Sequence, residues 1–176
     1  DTGEFTVEYL KEVSRAVAPL VDPARFVKAL MESTGAMRSG CNPAITNSEA
    51  FWSDFRPRFD DCIDRLVPVI EDFYSTGFGK LSRVARPCPG ARMAVLAALS
   101  RGLRIVLATN PVFPLSAVHQ RMAWAGVDDL PWEFVTSYED MHFCKPHRGY
   151  YREIAHRLGL PPEKCLMVGN DMGEDM

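Results

Sequence analysis

Cys165-Leu-Met-Val-Gly-Asn-Asp-Met-Gly-Glu-Asp-Met176 decides how this chain is read. The apolar run from Cys165 to Val168 enters a glycine turn that carries Asp171 and Asp175, four residues apart. A short buried strand that hands carboxylates to a loop at its C-terminal end is how open α/β sheets build metal and phosphate sites. Oxygen donors such as Asn170, Asp171 and Asp175 suit Mg²⁺, which keeps several waters and takes one or two carboxylates plus substrate phosphate. The plainer reading is that Asp171 or Asp175 caps a following helix, and a first-turn carboxylate can do both.

Two segments upstream carry complementary chemistry. Ile105-Val-Leu-Ala108 is wholly apolar, as expected of a strand covered on both faces, and Thr109-Asn110 follow it. A hydroxyl and an amide at the carboxyl edge of a strand can donate to a phosphoryl oxygen. Taken alone, they read as a polar turn before Pro111 and Pro114. Lys145-Pro146 stands between a weaker strand, Phe134-Val135-Thr136, and a helix over Gly149 to Leu158. A lysine there supplies a point charge to a phosphate or to a carboxylate nucleophile. Alone, it reads as a solvated lysine before a helix. The order is what matters: hydroxyl, lysine and acid pair all fall at the carboxyl ends of successive parallel strands, and those ends share one rim.

The rest of the second half agrees with that architecture. Helices are predicted from Ala91 to Ser100 with Gly102 as left-handed cap, from Ser116 to Ala125 ending at Gly126, and up to Leu158 closed by Gly159. Strand–helix–strand–helix–strand implies right-handed crossovers and a parallel sheet. Upstream of Arg86-Pro-Cys-Pro-Gly90 the pattern is helical throughout. Thr6 to Leu20 carries Val7, Leu10, Val13 and Val17 at helical spacing. Pro23 opens a helix with Phe26, Val27, Leu30 and Met31 on one face. Residues 35–47 read as a loop, Ser48 as the cap of a helix through Phe55, and Asp60 or Asp61 as the cap of another that ends near Gly77, with Pro68 a possible kink.

Together the motifs resemble the haloacid dehalogenase superfamily of phosphotransferases and hydrolases. Ile105-Val-Leu-Ala-Thr-Asn looks like its second motif, with Thr109 contacting phosphate. Lys145-Pro146 looks like its third, and Met167-Val-Gly-Asn-Asp-Met-Gly-Glu-Asp175 its fourth. The resemblance implies an α/β fold: a Rossmann-like parallel core over residues 86–176 and an N-terminal all-helical cap over residues 1–85. It implies a Mg²⁺-dependent hydrolase of small phosphomonoesters that works through an aspartyl-phosphate. Thr109 and Lys145 are then the catalytic positions, Thr109, Asn110 and Lys145 bind substrate, and Asn170, Asp171 and Asp175 are the candidate metal ligands. Asn170 stands where the family commonly has an acid, which shifts metal binding toward Asp171.

The family's first motif, a strand ending in Asp-x-Asp-x-Thr, is absent from the sequence; Asp1-Thr-Gly follows no apolar run. In the family that strand lies between the one ending at Thr109 and the one ending at Val168, and its first aspartate is the nucleophile. Without it, two buried strands each lack a neighbour, at roughly 1–3 kcal/mol per unpaired backbone group. The expectation is therefore a chain longer than 176 residues, or a gap filled by another chain. Two alternatives are a non-catalytic binding or regulatory member of the same fold and a metal-independent dehalogenase.

Composition narrows the partners. A net charge of −3 gives no electrostatic case for nucleic acid or an anionic membrane. No run of 18 apolar residues implies a membrane span, and Asp1-Thr-Gly-Glu-Phe is neither a signal nor a transit peptide. The expected partner is a small phosphorylated metabolite; the sequence says nothing of oligomeric state. Cys41, Cys62, Cys88, Cys144 and Cys165, odd in number and without CxxC spacing, read as reduced thiols in a cytoplasmic protein. His119, His142, His147 and His156 lack metal-ligand spacing. Trp52, Phe55 and Phe59 read as core, and Arg56 and Arg58 as solvated.

Overall fold

The computed structural model describes residues 2–175. Asp1, which opens the tripeptide contrasted above with the first motif, and Met176 lie outside them. Four helices come first: α1 (Thr2–Val17), α2 (Pro23–Ser39), α3 (Asn47–Phe55) and α4 (Ile63–Asp72). α5 (Ala91–Leu99), β1 (Val106–Leu107), α6 (Leu115–Ala125), β2 (Phe134–Val135) and α7 (Arg148–Leu158) follow. β1 and β2 pair in parallel, Val106 opposite Phe134 and Leu107 opposite Val135. The result is a mostly helical α/β structure with a small parallel sheet. Among the described residues no helix is long and apolar enough to cross a membrane.

Helix ends follow local chemistry. The Asp22 carboxylate accepts from the Arg25 N–H, with Pro23 in the first turn of α2. α3 starts on a reciprocal capping box between Thr46 and Glu49, two residues earlier than a cap at Ser48. Gly126 and Gly159 end α6 and α7 at φ +66° and +64°, and Gly102 turns at +73° after α5. α4 runs through Pro68 and closes in one wide turn, Phe73–Gly77, where the Phe78 N–H bonds the Phe73 carbonyl. A side chain at Gly77 would run into the Phe73 ring.

Three expectations need correction. α2 continues through Gly35 to Ser39, because Ser33 and Met37 bury the same stripe as Phe26 and Ala29; the loop is confined to 40–46. In α1 the inward stripe is Tyr9, Val13 and Val17, while Val7 is exposed. Tyr9 wins because its ring meets those of Phe73, Tyr74, Phe78 and Phe113. Residues 165–168 form no strand, and Leu166 and Val168 stand 87% and 81% exposed. A parallel strand forms only beside a partner; β1 bonds β2 on one edge, and nothing among the described residues occupies the other. α5 likewise buries none of its residues, although its sequence is apolar.

The main core spans the helices and reaches the α/β segment. Phe26, Phe55, Phe59, Leu66, Phe78 and Leu81 are fully buried, and Ala117 of α6 and Cys144 join them. Phe78 is the hub: its ring packs on Phe5, Tyr9, Phe73, Tyr74, Phe113 and Trp124. Trp52 is half-buried and Arg56 sits over its ring, so Arg56 is solvated on an aromatic face. Arg58, read above as solvated, instead bonds Asp54 and Glu32. Phe78→Ala should cost about 3–5 kcal/mol of stability, read from urea unfolding, because no neighbouring ring can collapse into the space. A loss under about 1 kcal/mol would show that the aromatic hub carries little of the fold.

Candidate functional site

Of the residues singled out by motif, Thr109, Asn110, Lys145 and Asp175 meet at the carboxyl ends of the two strands, while the side chains of Asn170 and Asp171 are exposed on the adjoining turn. Thr109 follows β1, and its Oγ1 lies 3.3 Å from Thr136 Oγ1, just past β2. The Thr109 carbonyl accepts from Thr136 Oγ1 at 2.9 Å and from the Tyr150 hydroxyl at 2.8 Å. These bonds hold the backbone after β1 against the start of α7. Next to it, Asn110 Oδ1 accepts from the Lys145 N–H at 3.2 Å, and its Nδ2 donates to both oxygens of Glu174.

Lys145 is the centre of charge. Its side chain is 6% exposed, and Nζ donates to Asp175 Oδ1 at 2.5 Å. The ammonium also lies 5.6 Å from the centre of the Tyr150 ring. A buried ammonium without a counter-charge is strongly unfavourable, so this pairing explains how the lysine stays inside. Lys145 and the backbone N–H groups of Asp171 and Asn170 hold the Asp175 carboxyl below the usual range. Asp175 Oδ2 accepts from the Asp171 N–H at 3.1 Å. The carboxylate lies flat against Gly169, where any side chain would collide with it.

Asp171 does a different job. Its Oδ1 accepts from the N–H groups of Gly173 and Glu174, at 2.8 and 3.0 Å, so it closes a turn, where the sequence suggested the cap of a helix. The residue is exposed, as is Asn170. Among the described residues, no three His, Cys, Asp or Glu side chains gather as a metal-binding group. What the turn offers is one accessible carboxylate beside a second that is committed to Lys145. That donor set fits Mg²⁺ held by one carboxylate, with water and phosphate supplying the rest, and does not fit an all-protein cage.

Sequence reading missed three contributors. Glu174, between the two aspartates, accepts from Arg38 of α2 at 2.7 Å as well as from Asn110. Tyr150 supplies both a ring beside Lys145 and a hydroxyl for Thr109; its place in the first turn after Lys-Pro was the available signal. Asn47, 1% exposed, donates to the carbonyls of Pro111 and Phe143, both at 3.4 Å, and so fastens α3 beside the site. All five cysteines are free. Cys144, adjacent to Lys145, is buried and its thiol is pushed up to about 12, so it stays protonated and is no nucleophile.

The profile of the haloacid dehalogenase-like hydrolases matches residues 9–176. The chain belongs to that family. A glyceraldehyde 3-phosphate phosphatase of Methanothermobacter thermautotrophicus is 29% identical over 91 residues, 52% of this chain. The matched stretch covers only 39% of that protein's length. No solved structure matches the chain.

Because the folded Asp175 carboxyl lies below its ordinary value of 3.8, its contribution is complete above that pH and is lost as pH falls below it. Asp175→Asn should therefore lower the Tm by the same amount at about pH 7 and about pH 5, and by less under about pH 4. Adding Lys145→Met should recover part of the loss, since no buried charge is then left alone. Thermal melts across that range check both statements.

Proposed function

We propose that this hydrolase is a phosphatase acting on small phosphomonoesters through an aspartyl-phosphate, with Mg²⁺ as its cation. The observation that carries the reading is the single cluster of Thr109, Asn110, Lys145 and the acidic turn 170–175 at one sheet edge. The phosphatase name of the M. thermautotrophicus relative supports it.

The roles follow from the contacts. Lys145 is the buried cation that meets the transferring phosphoryl group and offsets the charge of an attacking carboxylate. In this reading Asp175 positions Lys145 rather than the metal. Thr109 and Asn110 donate to phosphoryl oxygens and fix the line of attack. Asp171, with Asn170 beside it, would hold Mg²⁺, whose charge offsets that developing on the phosphoryl oxygens. Residues 1–85 act as a cap that excludes water and selects substrate, hinged near Ala85 to Gly90.

The nucleophile is not among the 176 residues. We place it on a strand paired with the open edge of β1, between it and residues 165–168. Three features support that insertion: the open edge, the exposed Leu166 and Val168, and the unburied apolar helix α5 with Met93 68% and Leu96 40% exposed. The same strand would bring an aspartate to the rim beside Lys145.

Expressed at the full length of its coding sequence, the protein should release inorganic phosphate from phosphomonoesters with Mg²⁺ and lose that activity in EDTA. Lys145→Ala should reduce kcat by about 10²–10³-fold. Turnover unaffected by that substitution would remove the assignment. The 176 residues alone should bind without turning over.

A further inference from the structure

We infer that the group esterified to the phosphate is apolar and ring-sized rather than a sugar or a short polyol; this rests on the phosphatase reading above. A cavity of about 510 Å³ lies between α1, α2, α3, the turn after α4 and the loop after β1. It reaches the site at Asn110 and Arg38, the two residues that hold Glu174. A phosphoryl group bound at Thr109, Asn110 and Lys145 therefore directs its leaving alcohol into this space.

The wall is aromatic. Tyr9, Phe51, Trp52, Tyr74, Phe113 and Tyr138 line it. Several of the polar side chains on it already have partners. The Tyr9 and Tyr74 hydroxyls bond at 2.8 Å, and Glu139 takes the Leu115 N–H that opens α6. Arg38 is paired with Glu174. A polyol entering here loses water at each hydroxyl and meets ring faces instead of partners. An apolar ring gains contact with the faces of Tyr9, Phe51, Trp52 and Phe113. The volume falls within the range that encloses small organic ligands, about 300–1,000 Å³, and a three-carbon chain leaves most of it empty.

The chemistry is phosphomonoester hydrolysis in every case: the P–O bond to the alcohol breaks, water supplies the new oxygen, and the alcohol leaves protonated. Substrates of matched intrinsic reactivity isolate the cavity's contribution. 2-Phenylethyl phosphate and glycerol 3-phosphate both release primary alcohols. On the full-length protein with Mg²⁺, kcat/KM should favour the phenylethyl ester at least about tenfold. Leu30→Trp, which fills the cavity from α2, should cut that preference about tenfold. Met31→Trp, on an exposed rim position, does the same where Leu30→Trp fails a far-UV circular dichroism check of folding. Equal or reversed preference, or a preference unchanged in both variants, overturns the inference.

Binding separates this inference from the reading beneath it. 2-Phenylethylphosphonate, which cannot be hydrolysed, should bind one-to-one by titration calorimetry and bind about tenfold more weakly in the Trp variant. Absence of phosphate release with that binding intact removes the phosphatase and keeps the cavity's selectivity. Phosphate release from glycerol 3-phosphate without phosphonate binding keeps the phosphatase and removes the apolar ligand.

Discussion

A lysine ammonium that is nearly out of water is the constraint on which the rest of this structure depends. Lys145 needs an anion within reach, and Asp175 is that anion. For Asp175 to arrive, the chain must turn sharply after residue 168, and it does so over Gly169, where the carboxylate occupies the space of a side chain. The turn then closes through Asp171, whose carboxylate and carbonyl take the N–H groups of Gly173, Glu174 and Asp175. Lys145 is fixed from its own side too, by the Asn110 amide on its backbone and the Tyr150 ring beside its head. Removing any of these loosens the charge at the centre.

The same cluster ties the helical half to the sheet. Glu174 reaches Arg38 of α2, Asn47 at the start of α3 bonds the loops after both strands, and Phe78 packs on Phe113 beyond β1. The cavity's aromatic wall is built from those same helices, so the residues that line it are mechanically joined to the cluster of Thr109, Asn110 and Lys145. A shift of α2 moves both Arg38 and the face that carries Leu30.

Most of the second half was legible because its signals are local. Left-handed glycines at 102, 126 and 159 close their turns wherever the chain goes next, and the Thr109-Asn110 and Lys145 positions follow from strand–helix order. What escaped was set by tertiary partners. Val7 and Tyr9 both suit a buried α1 face; only the rings of Phe73, Phe78 and Phe113 decide for Tyr9. Gly35 reads as a breaker, yet the burial of Ser33 and Met37 on either side keeps α2 intact. The run 165–168 has the composition of a buried strand, but a strand is a relation between two segments, and here the second is not among the described residues. The contacts of Glu174, Tyr150 and Arg38 exist only once α2, α7 and the acidic turn are brought together.

Three acids in five residues, Asp171, Glu174 and Asp175, repel one another in open turn, so their coexistence requires that each be answered separately. Asp175 is answered by Lys145, Glu174 by Arg38 and the Asn110 amide, and Asp171 by two backbone N–H groups. Only Asp171 is answered by no charged group. A divalent cation placed at the turn therefore gains most from Asp171, whose negative charge no side chain cancels, and least from Asp175, which it would have to share with the ammonium. The turn thus divides by charge balance: the ammonium of Lys145 claims one aspartate, and Asp171 keeps a carboxylate that no side chain among the described residues answers.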